Sequence, residues 1–520
     1  MRPVSPATLR DWIQDGAELV ILDAREEGEF GTGHLFWAVP CPLSRAELRI
    51  PILLPRIATR IVCVDDGHGL AQRLATLLQT RGATELHILE GGAKAWADAG
   101  FVLFTGVNVP SKAFGEWVEH HYGTESVDAP DLKAWMDQGR DMVVLDSRPM
   151  DEFRRMSIPT GLNVPGGELA YRIADLVPDP ATTIVINCAG RTRSIMGAES
   201  LRRAGVPNKI VALRNGTMGW ELAGLTVSRG ETATYAKGTP KTVALALQRA
   251  KTFAEHSGVR IITPQDLAHF EQDPNRTLYI LDVRDPAEFR TLHRPGSRNA
   301  PGGQLVQSTD QWIAVRGARI AVIDNDGVRA RMSAAWLRQM GHNDVFVVET
   351  ALDDLQIPPP QPSQPAGTAP PEATEGALVI DLARSIDFRA GHIPGAVWGV
   401  RTRLNLLHDR IATAERVVLT SPDGVLAAMA VDEVKAIRRM PVVALAGGTA
   451  AWVAAGGKPE ADRSNPADPD CVDFYLRPYD RNAGIEEAMH AYLSWEIDLV
   501  HEIERDGTVT FGAPPRGGPG

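Results

Sequence analysis

The sequence predicts an α/β protein built from four tandem units of parallel strands and crossover helices, followed by a helical tail. Three observations predict it. An apolar strand ending in Asp recurs four times, at Asp23, Asp146, Asp282 and Asp381. A second apolar strand follows in each copy and runs into an Ala/Leu/Met-rich helix. Three copies then close on a third strand, a Gly turn and a Trp, at Trp96, Trp220 and Trp452. Self-similarity at this spacing outranks any local propensity in deciding architecture. Short β-rich runs that alternate with longer helical patterns imply parallel strands joined by crossovers.

The elements of each copy can be justified in order. The first three open on a helix capped by Ser5, Asp128 or Thr263, with Leu, Trp or Phe on one face. The strand VILDAR ends at Arg25, VVLDSR at Arg148, YILDVR at Arg284 and LVIDLA at Ala383. A charged turn follows, carrying Glu29-Phe30, Glu152-Phe153, Glu288-Phe289 and Asp387-Phe388. Next comes a Gly/Pro-rich return, then the second strand from Arg60, Thr183, Arg319 or Arg416. The third copy diverges at its end, where VVETALDDLQIPPP has neither the glycines nor the Trp. A helix over KTVALALQRAKTFAEHSG is expected to join the second and third copies. The Pro-rich IPPPQPSQPAGTAPPEATEG predicts an extended, semi-stiff linker between the third and fourth. The tail contains CVDFYLRPYDRN and then GIEEAMHAYLSWEIDLVHEIERDG, an amphipathic helix that should pack on a domain or on another subunit.

The bounds set by composition agree. A chain of 520 residues exceeds what one core supports, and 44% hydrophobic with 23% charged residues is ordinary globular composition. A formal net charge of -11 argues against nucleic acid or an anionic membrane as the main partner. The four cysteines, Cys41, Cys63, Cys188 and Cys471, form no C-x-x-C pair and no disulfide framework, so neither a zinc site nor any other metal site is expected. The N-terminus has no apolar signal region, and no apolar run reaches membrane-spanning length. A cytoplasmic, reducing location follows as the default and suits a free reactive thiol.

Cys188 is the point of chemical interest. It alone places a thiol where the second strand runs into its helix; the other copies carry Asp65, Asp324 and Ser421 there. Backbone N–H groups from Ala189 through Ser194 can curl into an anion-binding nest, and the following helix points its positive end at the same spot. Arg191 and Arg193 add charge, Gly190 gives backbone freedom, and Thr192 and Ser194 offer hydroxyl donors. Such a setting favours thiolate over thiol. Cys63 lies in an apolar strand and reads as core; Cys41 reads as inert, with an acceptor thiol as the alternative; and His68, beside Asp65 and Asp66, reads as a solvated loop residue, with a metal ligand or base as the alternative. Asp146 and Arg148 recur as residue types in the first and third copies, which lack the Cys. They therefore read as supports that fasten the strand end.

These residues together resemble the rhodanese superfamily, specifically multi-domain rhodanese-related sulfurtransferases. The L-D-x-R strand end, the E-F pair, the H-I-P-G-A-like return, the Cys loop and the G-G-x-x-A-W turn recur in fixed order. The resemblance implies four tandem domains, each a central parallel sheet with helices on both faces, over 1–107, 112–231, 259–355 and 377–461. The second is the active copy, and 462–520 is the tail. It implies that Cys188 takes a sulfane sulfur as a persulfide from thiosulfate or a related donor and passes it to a thiol or cyanide, with no cofactor. The C-x4-R spacing from Cys188 to Arg193 differs from the C-x5-R loop that cysteine phosphatases resemble. Two-domain thiosulfate rhodaneses carry an Arg where this chain has Glu152, which questions thiosulfate binding unless Arg191 or Arg193 serves instead. The alternative is a sulfur carrier or scaffold with a protein donor or acceptor, and a homo-oligomer is compatible with either.

Overall fold

A computed structural model of the chain describes residues 1–236, 238–349 and 368–512. The expected Pro-rich linker and the divergent end of the third copy fall largely outside the described residues.

Each copy folds around a five-stranded, wholly parallel sheet with the same strand order, first-fifth-fourth-second-third. In the second copy the strands are Ser126–Val127, Met142–Asp146, Leu162–Asn163, Thr183–Asn187 and Ile210–Leu213. Apolar residues alternate between two faces along these strands, as period-2 geometry requires. Leu145, Ile184, Ile186 and Ala212 face the helices Leu169–Leu176 and Thr192–Arg203. Val144, Val185 and Val211 face Leu132 and Trp220 on the opposite side. Helices therefore cover both faces, and the strands are apolar throughout because neither face meets water.

The strand register equates the four copies. Asp23 pairs with Val64, Asp146 with Asn187, Asp282 with Ile323 and Asp381 with Thr420. The residue after each partner is Asp65, Cys188, Asp324 or Ser421, so all four stand at one structural position. The short strand inside each return, Leu162–Asn163 in the second copy, and the opening strand, Ser126–Val127, carry too few residues to show an alternation.

Capping follows the sequence reading at two of three helices. Ser5 Oγ and Thr263 Oγ1 each accept from a first-turn amide at 3.2 Å, whereas Asp128 stands at its cap position without a side-chain bond. Trp96 and Trp220 are buried, each donating its indole N–H to a backbone carbonyl at 3.0 Å.

The connecting helix, Pro240–His256, lies against both Leu169–Leu176 and Arg329–Gln339, and the first, second and third copies all contribute to one core. The first and fourth are tied by Arg401–Glu47 at 2.8 Å and Arg403–Glu29 at 2.5 Å. The tail helix, Ile485–Asp506, packs along Val109–Tyr122. Leu499 and Ile503 meet Phe36, Phe104 and Val109, and Met489 and Leu493 meet Met218. That seats the tail against the second copy, at its Cys loop.

Candidate active site around Cys188

The strand Thr183–Asn187, central in its sheet, delivers Cys188 at its C-terminal end, and the helix Thr192–Arg203 begins four residues later. Cys188 is 1% exposed. Its Sγ lies 3.5 Å from Ser194 Oγ and 3.7 Å from the Arg191 carbonyl oxygen. Its own carbonyl is held from the far side by Thr217, whose N–H and hydroxyl donate to it at 2.8 and 3.0 Å. Gly216 makes that approach possible. Its φ is +54°, and a Cβ there would stand 2.4 Å from the Cys188 carbonyl oxygen. Gly92 and Gly448 press on the carbonyls of Asp65 and Ser421 in the same way, which explains the Gly turn recurring in those copies.

The sibling loops show what this backbone arrangement binds. Asp65 accepts from the amides of Gly67 and Ala71 at 2.8 and 3.0 Å, and Asp324 from those of Gly327 and Ala330, both at 2.9 Å. Ser421 accepts from Ala427 at 3.4 Å. In two copies the loop is thus filled by an aspartate side chain of the chain itself, and burial with Asp326 beside it pushes the Asp324 carboxyl up to about 8. Around Cys188, the amides of Ala189, Gly190, Arg191, Thr192 and Arg193 donate to no acceptor among the described residues. The loop from which the sequence expects a nest therefore leaves five consecutive amides without protein acceptors among the described residues.

The expected binding side chains do not all face the thiol. Arg191 is buried and turns to the Val109–Tyr122 helix, donating to both oxygens of Glu116 at 2.8 Å and also to Glu119. Arg193 donates to both oxygens of Glu152 at 2.7 Å. Burial works against the Glu152 charge, but Arg193, Arg477 and Arg148 outweigh it and hold the carboxyl down at about 2. Thr192 gives its hydroxyl to Glu496 at 3.1 Å, leaving Ser194 as the hydroxyl beside the sulfur.

Asp146 and Arg148 form a buried bidentate pair, with Nε and Nη2 donating at 2.8 and 2.7 Å. Arg148 also donates to the Met156 carbonyl at 2.7 Å, and Asp146 accepts from Asn187 Nδ2 at 2.7 Å, one residue before Cys188. Asp23–Arg25 and Asp282–Arg284 repeat the clamp. The other thiols are all buried; burial pushes Cys41 up to about 12 and raises Cys63 and Cys471. His68 is exposed, 3.8 Å from Asp66.

Sequence reasoning placed a helix in the tail but did not connect the tail to the Cys188 loop. Ala189 and Arg193 open on a cavity of about 110 Å³ whose far wall is Tyr475, Arg477, Tyr479, Tyr492 and Trp495. The tail helix touches the loop at Gly190, where a Cβ would meet Glu496 Oε2 at 3.1 Å and Tyr492 at 3.3 Å. Glu496 is fully buried and accepts from Lys112 at 2.5 Å. The aromatic and Arg residues of FYLRPYDRN were the available signal, but no repeat pattern ties them to the loop.

Comparison with known proteins agrees with this geometry. The rhodanese-like domain family matches residues 5–99, 128–223 and 263–356. A crystal structure of a thiosulfate sulfurtransferase from Pseudomonas aeruginosa is 43% identical, covering 99% of this chain and 100% of that one, with a TM-score of 0.92. An HTH-type transcriptional regulator from Mycobacterium tuberculosis (strain ATCC 25618 / H37Rv) is 34% identical over 91 residues. That match takes in 17% of this chain and spans 39% of the regulator's length.

Proposed function

The chain belongs to the rhodanese-like family as a multi-domain sulfurtransferase, and from that premise we propose that it works through a persulfide on Cys188. In the first half-reaction the Cys188 thiolate attacks the outer sulfur of thiosulfate. A bond forms from Sγ to that sulfur, the sulfur–sulfur bond of the donor breaks, and its electron pair leaves with sulfite. In the second, cyanide or a thiolate attacks the terminal sulfur, leaves as thiocyanate or a persulfide, and returns Cys188 to thiolate. This is covalent catalysis with ping-pong kinetics.

The observation that carries the reading is the open nest. The loop amides that lack protein acceptors around Cys188 include the equivalent of the Gly67 amide, which Asp65 fills with its carboxylate in its own copy. A nest that accepts a carboxylate from its own chain has the polarity to hold a thiolate or the negative terminal sulfur of a persulfide. The 1% exposure of Cys188 and the tail's contact with its loop at Gly190 favour small donors and acceptors over a protein carrier role. No helix among the described residues is long and apolar enough to cross a membrane. A reducing cytoplasm suits the free thiols.

Intact mass after thiosulfate treatment tests this. Wild type should gain one sulfur, about 32 Da, and Cys188→Ser should gain none. Sulfur retained in Cys188→Ser would move the site elsewhere. Sulfur accepted from a protein persulfide but never from thiosulfate would favour the carrier reading.

A further inference from the structure

The cavity beside Cys188 has five cationic residues in its lining: Lys112, Arg148, Arg155, Arg193 and Arg477. Four are already committed. Lys112 pairs with Glu496, Arg148 with Asp146, Arg155 with Asp480 and Arg193 with Glu152, at 2.5 to 3.0 Å. Arg191, the remaining loop cation, is turned away into Glu116 and Glu119. Arg477 is different. It is exposed, and its guanidinium makes no salt bridge and no hydrogen bond among the described residues. Pro478 follows it and opens a short 3-10 turn, so the backbone that presents it is fixed. Its positive charge reaches Glu152, across the cavity mouth from the tail.

A second donor lines the same cavity. Trp495 Nε1 is buried and has no acceptor. Its ring is pinned in place by Gly106, where a Cβ would stand 2.4 Å from Cζ2. A buried N–H without a partner is costly unless something accepts from it. The uncommitted guanidinium and the indole ring whose N–H is buried without an acceptor therefore line one cavity that opens on Ala189. They match an oxyanion carrying several acceptor oxygens.

We propose that the C-terminal tail builds the sulfur-donor subsite, with Arg477 as the residue that binds the oxyanion end of a small dianionic oxysulfur donor while its outer sulfur faces Cys188. This rests on the sulfur-transfer reading above. It assigns donor recognition to a segment outside the repeated domains, and it accounts for the two loop arginines being spent on internal ion pairs. In the donor half-reaction Arg477 holds the oxygens that become sulfite, so its charge is matched before and after the sulfur–sulfur bond breaks.

The test is steady-state kinetics with thiosulfate and cyanide on the full chain, for wild type, Arg477→Gln, Arg477→Lys and Cys188→Ser. Arg477→Gln should raise the KM for thiosulfate by about tenfold or more, the scale of one lost charge-assisted contact, and leave the KM for cyanide unchanged. Arg477→Lys should recover most of that loss. A monoanionic alkylthiosulfonate should be affected less than thiosulfate. A thiosulfate KM within about twofold of wild type in Arg477→Gln would overturn the inference, on the scale of a dispensable surface charge, while sulfur transfer at Cys188 stood. Equal losses in Gln and Lys variants, with a lowered melting temperature in both, would reduce Arg477 to packing and overturn it too. A wild-type chain that never gains sulfur at Cys188 would overturn the sulfur-transfer reading itself and this inference with it.

Discussion

Glu152 grips Arg193 through two parallel hydrogen bonds of 2.7 Å, at the cavity that reaches the Cys188 loop. The third copy repeats the pair, with Glu288 on Arg329. The arrangement takes a loop cation out of play as a donor ligand and fixes it as part of the wall. Glu152→Gln should therefore release Arg193 toward the cavity and remove one negative charge from the path of a dianion. The KM for thiosulfate is expected to fall by about threefold to tenfold, the range of a partly exposed charge effect. Steady-state assays at low and at 0.5 M salt, roughly the range over which exposed charges become screened, check it, because the gain should shrink at the higher salt.

The same pair sets a pH dependence of stability. Burial opposes the Glu152 charge, yet Arg193 and its neighbours hold the carboxyl at about 2, against 4.5 for the free group. Since the folded value lies below the unfolded one, the stabilisation is fully present above pH 4.5 and is lost as pH falls toward 2. Discounted for a carboxylate that is partly exposed, it amounts to about 1–2 kcal/mol. Urea unfolding of wild type against Glu152→Gln should show that gap at pH 6, narrowing below about pH 4.5. A gap that stays constant down to pH 3 would contradict the assignment.

What the sequence disclosed and what it hid have physical reasons. Asp146, Cys188 and Trp220 were legible because each copy must repeat a strand end, a crossover and a turn, and repetition exposes them. The opening strand Ser126–Val127 and the return strand Leu162–Asn163 were not, since two residues carry no periodicity. Arg191 stands at the start of the helix Thr192–Arg203 and Arg193 within its first turn, and their directions are set by Glu116 on another helix and by Glu152 on another turn. Long-range pairs of this kind leave no local trace. Tyr492 and Glu496 belong to the stretch read only as an amphipathic helix; that they close on Gly190 depends on packing from the far end of the chain.

Gly216 offers a test of how the loop carbonyl is held. Gly216 and Gly224 both have left-handed φ, at +54° and +72°, but a Cβ on Gly216 would meet the Cys188 oxygen at 2.4 Å whereas one on Gly224 meets nothing within 4 Å. The backbone strain is common to both, so the difference isolates the clash. Gly224→Ala is expected to lose about 1–2 kcal/mol, and Gly216→Ala more than about 3 kcal/mol, the scale of core overpacking added to that strain. Gly216→Ala should also slow sulfur uptake at Cys188, because the oxygen that must move belongs to the thiol residue. Denaturant melts and the mass gain after thiosulfate together check both halves.

Replacing the thiol by a carboxylate asks whether the nest is what the sibling loops indicate. Asp324 accepts from two loop amides at 2.9 Å, three and six residues on; the corresponding amides after Cys188 are Arg191, without a protein acceptor among the described residues, and Ser194, which donates to the Arg191 carbonyl at 3.1 Å. Cys188→Asp should place its carboxylate on the Arg191 amide and draw the Ser194 amide away from the Arg191 carbonyl. Amide bonds to a charged acceptor are worth about 1.5–3 kcal/mol each, offset by burying the charge. The net expectation is that Cys188→Asp is more stable than Cys188→Ala by about 1–2 kcal/mol, with no sulfur uptake in either. The advantage should shrink as pH falls and the carboxyl protonates, since a neutral acid returns little to the amides. If Cys188→Asp is instead less stable than Cys188→Ala at neutral pH, the loop does not hold anions, and the persulfide would need another source of charge stabilisation.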